Sequence, residues 1–204
     1  SREEVAAETI SNLQARGRKP FDIPLGASDA IGAMGYIAAM EELDGQMKAG
    51  GLHFDRIVFA TSSCGTQSGM CLGAKALGMK TQVTGIAIDS TRDEVQAQVS
   101  WLAGDTARHA GLKLEIRPEE VVAYDGFLGA GYAIMGEPEK EAILLAARCE
   151  GILLDPVYTG RAMAGLIGLI RQGEFDKDET ILFWHTGGSA ALYAYAGQLM
   201  DGES

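Results

Sequence analysis

Ile57-Val58-Phe59-Ala60-Thr61-Ser62-Ser63-Cys64-Gly65-Thr66-Gln67-Ser68-Gly69 is the stretch that decides the fold. Residues 57–60 are a short apolar run, with charged Asp55 and Arg56 before it and small hydroxyl residues after it, which predicts a buried strand. Helical spacing resumes at Gly69 and runs to Leu77. The hydroxyl- and glycine-rich residues between them therefore form a strand-to-helix loop.

The same unit recurs on both sides. Downstream, 83–88 is predicted as the next strand, 92–110 as a helix and 121–123 as a weaker strand. A glycine-rich loop spans 126–136, and Pro138 marks a helix start. Apolar residues at i, i+3, i+4 and i+7 predict three more helices: Ala142, Leu145, Ala146 and Cys149; Ala162, Gly165, Leu166 and Leu169; Leu192, Tyr195, Ala196 and Leu199. Ile152-Leu153-Leu154 is a further strand, and Ile181-Leu182-Phe183-Trp184 a strand covered on both faces. Upstream, 2–16 carries Ala6, Ile10 and Leu13 on one helical face, 21–24 is extended, and a turn at 26–29 leads into a helix over about 30–48. This alternation predicts one α/β domain with a mostly parallel sheet and helices on both faces.

Composition narrows the function. A net charge of −11 argues against nucleic acid, whose backbone needs basic patches. It leaves anionic small ligands open, because local backbone dipoles outweigh distant charge. Three cysteines, an odd number, argue against a disulfide framework and favour a reducing, cytoplasmic compartment. No apolar run approaches the roughly 18 residues of a membrane span. The sequence opens on Ser1 and passes straight into a helical pattern, which is expected of a cut start.

Ligands of open α/β sheets bind outside the carboxyl ends of the strands, so three strand-to-helix loops are the candidate site. The loop 62–69 offers the hydroxyls of Ser62, Ser63 and Thr66, a glycine at 65, and a helix start behind it, which together suit an anion. It has no lysine and fits neither the nucleotide P-loop nor the dinucleotide fingerprint. Neutral donors suit a single terminal phosphate, and equally a plain helix cap. The second loop, Asp155-Pro156-Val157-Tyr158-Thr159-Gly160, places Tyr158 to stack on a ligand ring or transfer a proton, or simply to pack a helix start. The third, His185-Thr186-Gly187-Gly188-Ser189, offers Thr186 as a hydrogen-bonding group beside glycines that leave room for a flat ligand. His53, His109, Cys64 and Cys71 lack metal-ligand spacing, so no metal site is expected.

Taken together these loops, with Ile23-Pro24-Leu25-Gly26-Ala27-Ser28, Ile31-Gly32-Ala33-Met34-Gly35-Tyr36 and Leu154-Asp155-Pro156-Val157-Tyr158-Thr159-Gly160, resemble the pyridoxal-phosphate-dependent D-cysteine desulfhydrase and 1-aminocyclopropane-1-carboxylate deaminase family. The resemblance implies the tryptophan synthase β-subunit-like fold (fold type II of pyridoxal-phosphate enzymes) and pyridoxal 5'-phosphate as cofactor. It implies that Ser63, Cys64, Gly65 and Thr66 bind the cofactor phosphate, that Tyr158 lies against cofactor or substrate, that Thr159 belongs to the cofactor site, and that Thr186 meets the pyridine nitrogen. Thr159 stands where the deaminases carry a glutamate, and Thr186 is the desulfhydrase-like form. A hydroxyl does not hold the pyridine nitrogen protonated as a carboxylate does, which suits α,β-elimination from a cysteine-like amino acid to pyruvate, ammonia and sulfide. Deamination of aminocyclopropane carboxylate and sulfite release from cysteate are the enzymic alternatives. A non-catalytic module holding a phosphorylated small ligand is the alternative of another class.

Departures from the family accompany the match. Cys64 stands in place of a glycine and Asp29 in place of an asparagine. The Schiff-base lysine and the serine–asparagine substrate loop belong to an N-terminal segment of the family, and Lys19, Lys48, Lys75, Lys80, Lys113, Lys140 and Lys177 match no family lysine motif. Residues 1–204 are accordingly expected to be the C-terminal part of the enzyme, most of its large domain, and inactive alone. It is expected to associate as a homodimer or with a missing N-terminal segment or chain.

Overall fold

The computed structural model describes residues 1–200. Its sheet contains β1 (Arg56–Thr61), β2 (Gln82–Ala87), β3 (Val122–Tyr124) and β4 (Ile181–Phe183), in the order β3-β2-β1-β4 with every pair parallel. Phe59 stands opposite Gly85, and Val58 opposite both Thr84 and Phe183. The helices are α1 (Arg2–Ala15), α2 (Ala30–Gly50), α3 (Gly65–Leu77), α4 (Arg92–His109), α5 (Glu137–Glu150), α6 (Thr159–Gln172) and α7 (Ala196–Met200).

Strand alternation divides the core into two layers. Ile57, Phe59 and Val83 point to one face and pack on Met40 and Leu43 of α2 and Met70 of α3. Val58 and Ile86 point to the other and meet Ala162, Leu166 and Leu169 of α6. α4 joins the first face through Val95, Val99 and Ala103 against Leu72. The first layer is close because Gly69 is glycine: a Cβ there would lie 2.2 Å from the Ala33 carbonyl oxygen. The parallel sheet with helices on both faces is therefore as the alternation predicted.

Local differences have physical causes. α3 starts at Gly65, four positions before the expected Gly69, so half of the candidate phosphate loop is the helix's first turn. Residues 152–154 form no strand; Ile152 and Leu153 are exposed, and the Leu153 carbonyl accepts from Ser189 Oγ rather than from a sheet neighbour. β4 is an edge strand with β1 as its neighbour, so its residues are half-buried rather than covered on both faces. In α5 the buried stripe is Ala142, Ile143 and Ala146, while Leu145 and Cys149 face outward. The last expected helix is instead a 3₁₀ stretch, Ser189–Tyr195, followed by α7; in the 3₁₀ turn Tyr195 Oη reaches the Ala133 carbonyl at 2.7 Å. Among the described residues no helix is long and apolar enough to cross a membrane, and no cluster of His, Cys, Asp and Glu is placed to hold a metal.

Candidate active site

β1 ends at Thr61, and Ser62, Ser63 and Cys64 turn the chain into α3. Cys64 occupies the left-handed region (φ 68°, ψ −7°) and caps the helix without a side-chain bond to its first amides. A non-glycine residue there is strained by about 1–2 kcal/mol. Its thiol donates to the Ser62 carbonyl at 3.2 Å, and burial pushes it up to about 11. Cys64 is therefore a neutral structural group, not a nucleophile.

The first N–H groups of any helix lack intrahelical acceptors. At α3 the Gly65 N–H donates to Ser28 Oγ at 3.2 Å, and that hydroxyl donates onward to Ser63 Oγ at 2.8 Å. Backbone contact between the two turns requires glycines: a Cβ on Gly65 would lie 2.6 Å from Ser28 Oγ, and one on Gly26 2.3 Å from Ser63 Oγ. Asp29 begins α2 behind this contact, accepting from the N–H groups of Ile31 and Gly32 at 3.0 and 2.8 Å. Thr66 is half-buried in the first turn of α3. Ser63, Cys64, Gly65 and Thr66 thus share one turn, and Ser28 joins them; the sequence signal for Ser28 was its place in the matched stretch 23–28.

A cavity of about 570 Å³ opens beside this turn. Ser62, Ser63, Asp89, Tyr132 and Tyr158 line it, with Leu25 and Gly26. Ser62 Oγ donates to Asp89 Oδ2 at 2.7 Å. The hydroxyls of Tyr132 and Tyr158 are 2.5 Å apart, with the rings edge to face at 6.1 Å. The Tyr132 hydrogen bond, then burial, pushes the Tyr158 phenol up to about 12, so it is a proton-bearing group at neutral pH. Tyr132 comes from the glycine-rich loop and was not singled out from the sequence, because no periodicity locates a residue there.

Tyr158 owes its position to Asp155. That fully buried carboxylate accepts from the N–H groups of Val157, Tyr158 and Thr159 at 2.8, 2.8 and 2.7 Å, filling the start of α6. Thr159 Oγ1 donates to Asp155 Oδ1 at 2.7 Å and accepts from the Asp155 N–H at 2.9 Å. Thr159 is buried, committed to Asp155 and outside the cavity lining, which places it as a support of Tyr158. Thr186 is exposed and likewise not part of the lining. Its loop does reach the second one, since a Cβ on Gly188 would lie 2.9 Å from the Asp155 side chain. Within that loop His185 Nδ1 accepts from the Gly187 N–H at 3.0 Å, leaving Nε2 to donate to the Leu153 carbonyl at 3.0 Å.

Arg161, fully buried, ties the region together. Its Nε donates to Glu139 at 2.8 Å, Nη1 to the Ile88 carbonyl at 3.0 Å, and Nη2 to the carbonyls of Gly131 and Ile134 at 3.1 and 2.9 Å. One guanidinium thus fixes the exit of β2, the loop carrying Tyr132 and the start of α5. None of the seven lysines lines the cavity; Lys75, on α3, donates instead to the Glu115 carbonyl and to Glu120, each at 2.7 Å. The site is thus an amide- and hydroxyl-lined turn facing a pair of phenols, suited to hold an anionic group at one end and to deliver or hold a proton at the other.

Residues 1–187 match the family model described as pyridoxal-phosphate dependent enzyme. A D-cysteine desulfhydrase of Yersinia enterocolitica is 37% identical over 193 residues, 95% of this chain and 58% of the relative. A 1-aminocyclopropane-1-carboxylate deaminase of Allorhizobium ampelinum is 37% identical over 196 residues, 96% of this chain and 58% of its own length. The crystal structure of an ACC deaminase homologue superposes with a TM-score of 0.86 at 35% identity, covering 97% of this chain and 58% of that one. O-ureido-L-serine synthase, at a TM-score of 0.50 and 16% identity over 86% of this chain and 52% of its own, shares the fold alone. The chain spans 58% of the length of the curated relatives it matches.

Proposed function

The chain belongs to the pyridoxal-phosphate dependent enzymes, and from that premise we propose that it carries the phosphate-binding part of an amino-acid lyase of the D-cysteine desulfhydrase type. The observation that carries the reading is the Ser28 hydroxyl on the Gly65 N–H at the start of α3. An amide aimed at a displaceable hydroxyl, in a cradle that only glycine leaves open, fits a phosphate oxygen. In this reading Ser63, Gly65, Thr66 and the backbone of Cys64 hold the phosphate, and Ser28 yields its place or joins the oxygen shell. Bound there, pyridoxal phosphate supplies an electron sink that acidifies the substrate's Cα–H.

This chain's own residues then handle the leaving group, while the base that takes the Cα proton is proposed to lie outside them. Tyr158, held protonated by Tyr132, donates a hydrogen bond or a proton from Oη to the leaving group on Cβ. Asp155 and Thr159 fix the backbone beneath it. Elimination from a cysteine-like amino acid, followed by hydrolysis, gives pyruvate, ammonia and sulfide. Thr186 is proposed at the pyridine nitrogen, its loop being packed on Asp155; the lysine that anchors the cofactor is proposed to lie outside the seven of this chain. Phe21, Ile23 and Leu25 are exposed apolar side chains, Leu25 on the cavity wall, which supports cover by a second copy or by another segment of the enzyme. Three unpaired cysteines fit a cytoplasmic setting.

The test is product analysis with the full-length protein and pyridoxal phosphate. Pyruvate from D- or L-cysteine supports the reading, 2-oxobutyrate from aminocyclopropane carboxylate transfers it to the deaminase chemistry, and turnover of neither sinks it. Tyr158→Phe is expected to lower kcat by about 10²–10³ while leaving cofactor affinity near wild type, the split expected of a proton donor.

A further inference from the structure

Among the described residues Asp89 is the one carboxylate on the cavity wall, and no lysine, arginine or histidine lines the cavity with it. It follows Ile88 at the exit of β2. Ser62 Oγ donates to its Oδ2 at 2.7 Å, and Ser90 Oγ lies 3.4 Å from its Oδ1. Both partners are neutral, so its charge is oriented but not cancelled. The buried cation of the region, Arg161, is committed to Glu139 and three backbone carbonyls. Asp89 shares the cavity wall with Tyr158, so its charge faces the same space as the phenol.

We propose that Asp89 sets the charge selectivity of the site, disfavouring amino acids whose Cβ substituent is anionic, such as a sulfonate, and admitting those with a neutral one, such as a thiol. The proposal rests on the amino-acid reading of the site and narrows its leaving group. The cofactor phosphate and the substrate carboxylate are also anionic, but both are common to every amino acid the enzyme would bind. The difference between two amino acids isolates the side-chain charge. Like charges about 10 Å apart at an effective dielectric of about 20 disfavour binding by on the order of tenfold.

The experiment compares racemic alanine with racemic cysteate on the full-length protein loaded with pyridoxal phosphate. Dissociation constants are read from the initial change in cofactor absorbance, before turnover. In wild type cysteate is expected to bind more weakly than alanine. In Asp89→Asn the cysteate-to-alanine affinity ratio is expected to rise about tenfold, and in Asp89→Glu, which keeps the charge, to stay near wild type. An unchanged ratio in Asp89→Asn, or an equal rise in Asp89→Glu, overturns the assignment while the amino-acid reading stands. If neither amino acid perturbs the cofactor in any of the three proteins, the amino-acid reading fails and takes this inference with it.

Discussion

Two helices begin at the rim of one cavity and treat their first amides in opposite ways. At α6 the buried carboxylate of Asp155 accepts from three successive N–H groups, so the positive end of the helix is filled from within. At α3 no side chain of the turn itself caps the helix, and the Gly65 N–H meets a hydroxyl from a different loop. A carboxylate in a buried nest is not displaced by a ligand. A neutral hydroxyl at 3.2 Å is the weaker partner of an amide. The pairing supports the proposed division of one site: α3 as the start left for an external anion, and α6 as a fixed mount beneath Tyr158.

The comparison breaks most visibly at Asp155. Asp155→Ala strips acceptors from three amides and the Thr159 hydroxyl in a dry setting. A loss of about 3 kcal/mol or more is expected in urea denaturation. A loss under about 1 kcal/mol would mean that α6 does not depend on its internal anion, and the contrast with α3 would fall.

Ser63→Ala tests the open side. Removing one donor to a charged group is expected to weaken pyridoxal phosphate about tenfold in a fluorescence titration, with global stability changed by less than about 1 kcal/mol. If affinity does not move, the phosphate is held elsewhere.

Tyr132→Phe sharpens what the α6 mount presents. The Tyr132 hydrogen bond is the largest cause of the raised Tyr158 value, so its loss is expected to bring that phenol down from about 12 toward its ordinary 10.0. Tyrosinate absorbance would step up at lower pH. The sign for stability follows: a proton held more tightly in the folded state contributes fully below pH 10, and that contribution is lost as pH rises from about 10 to 12. In Tyr132→Phe this alkaline loss is expected to shrink.

The two helix starts also differ in how far the sequence revealed them. The α3 turn was legible as a strand-to-helix loop and candidate anion site because its signal is local: hydroxyls, one glycine and an apolar strand in front. Its helix boundary was not, since α3 is capped by a left-handed cysteine, and no preference for such a cap is written in residue type. At α6 Tyr158 was legible by position, but its partner Tyr132 lies 26 residues away in a glycine loop, which Arg161 and Tyr195 bring back. Asp89 was invisible for the same reason, being one more polar residue after a strand. Residues 152–154 carried an apolar run without a sheet neighbour to pair with, which residue type alone does not report.

Cys64 offers the smallest and most discriminating test. Its left-handed backbone costs about 1–2 kcal/mol relative to glycine. Its side chain is buried against Leu72 and Val95, which returns about 1 kcal/mol, and glycine would add up to about 1 kcal/mol of unfolded-chain entropy. These terms nearly cancel, so Cys64→Gly is expected to fall within about 1 kcal/mol of wild type in urea denaturation. Cys64→Val keeps the burial but puts a β-branched side chain at positive φ, and is expected to cost about 2 kcal/mol. Valine tolerated and glycine costly would mean that packing governs this position. The open start of α3 would then not rest on a left-handed residue, and the contrast with the filled start of α6 would lose its structural cause.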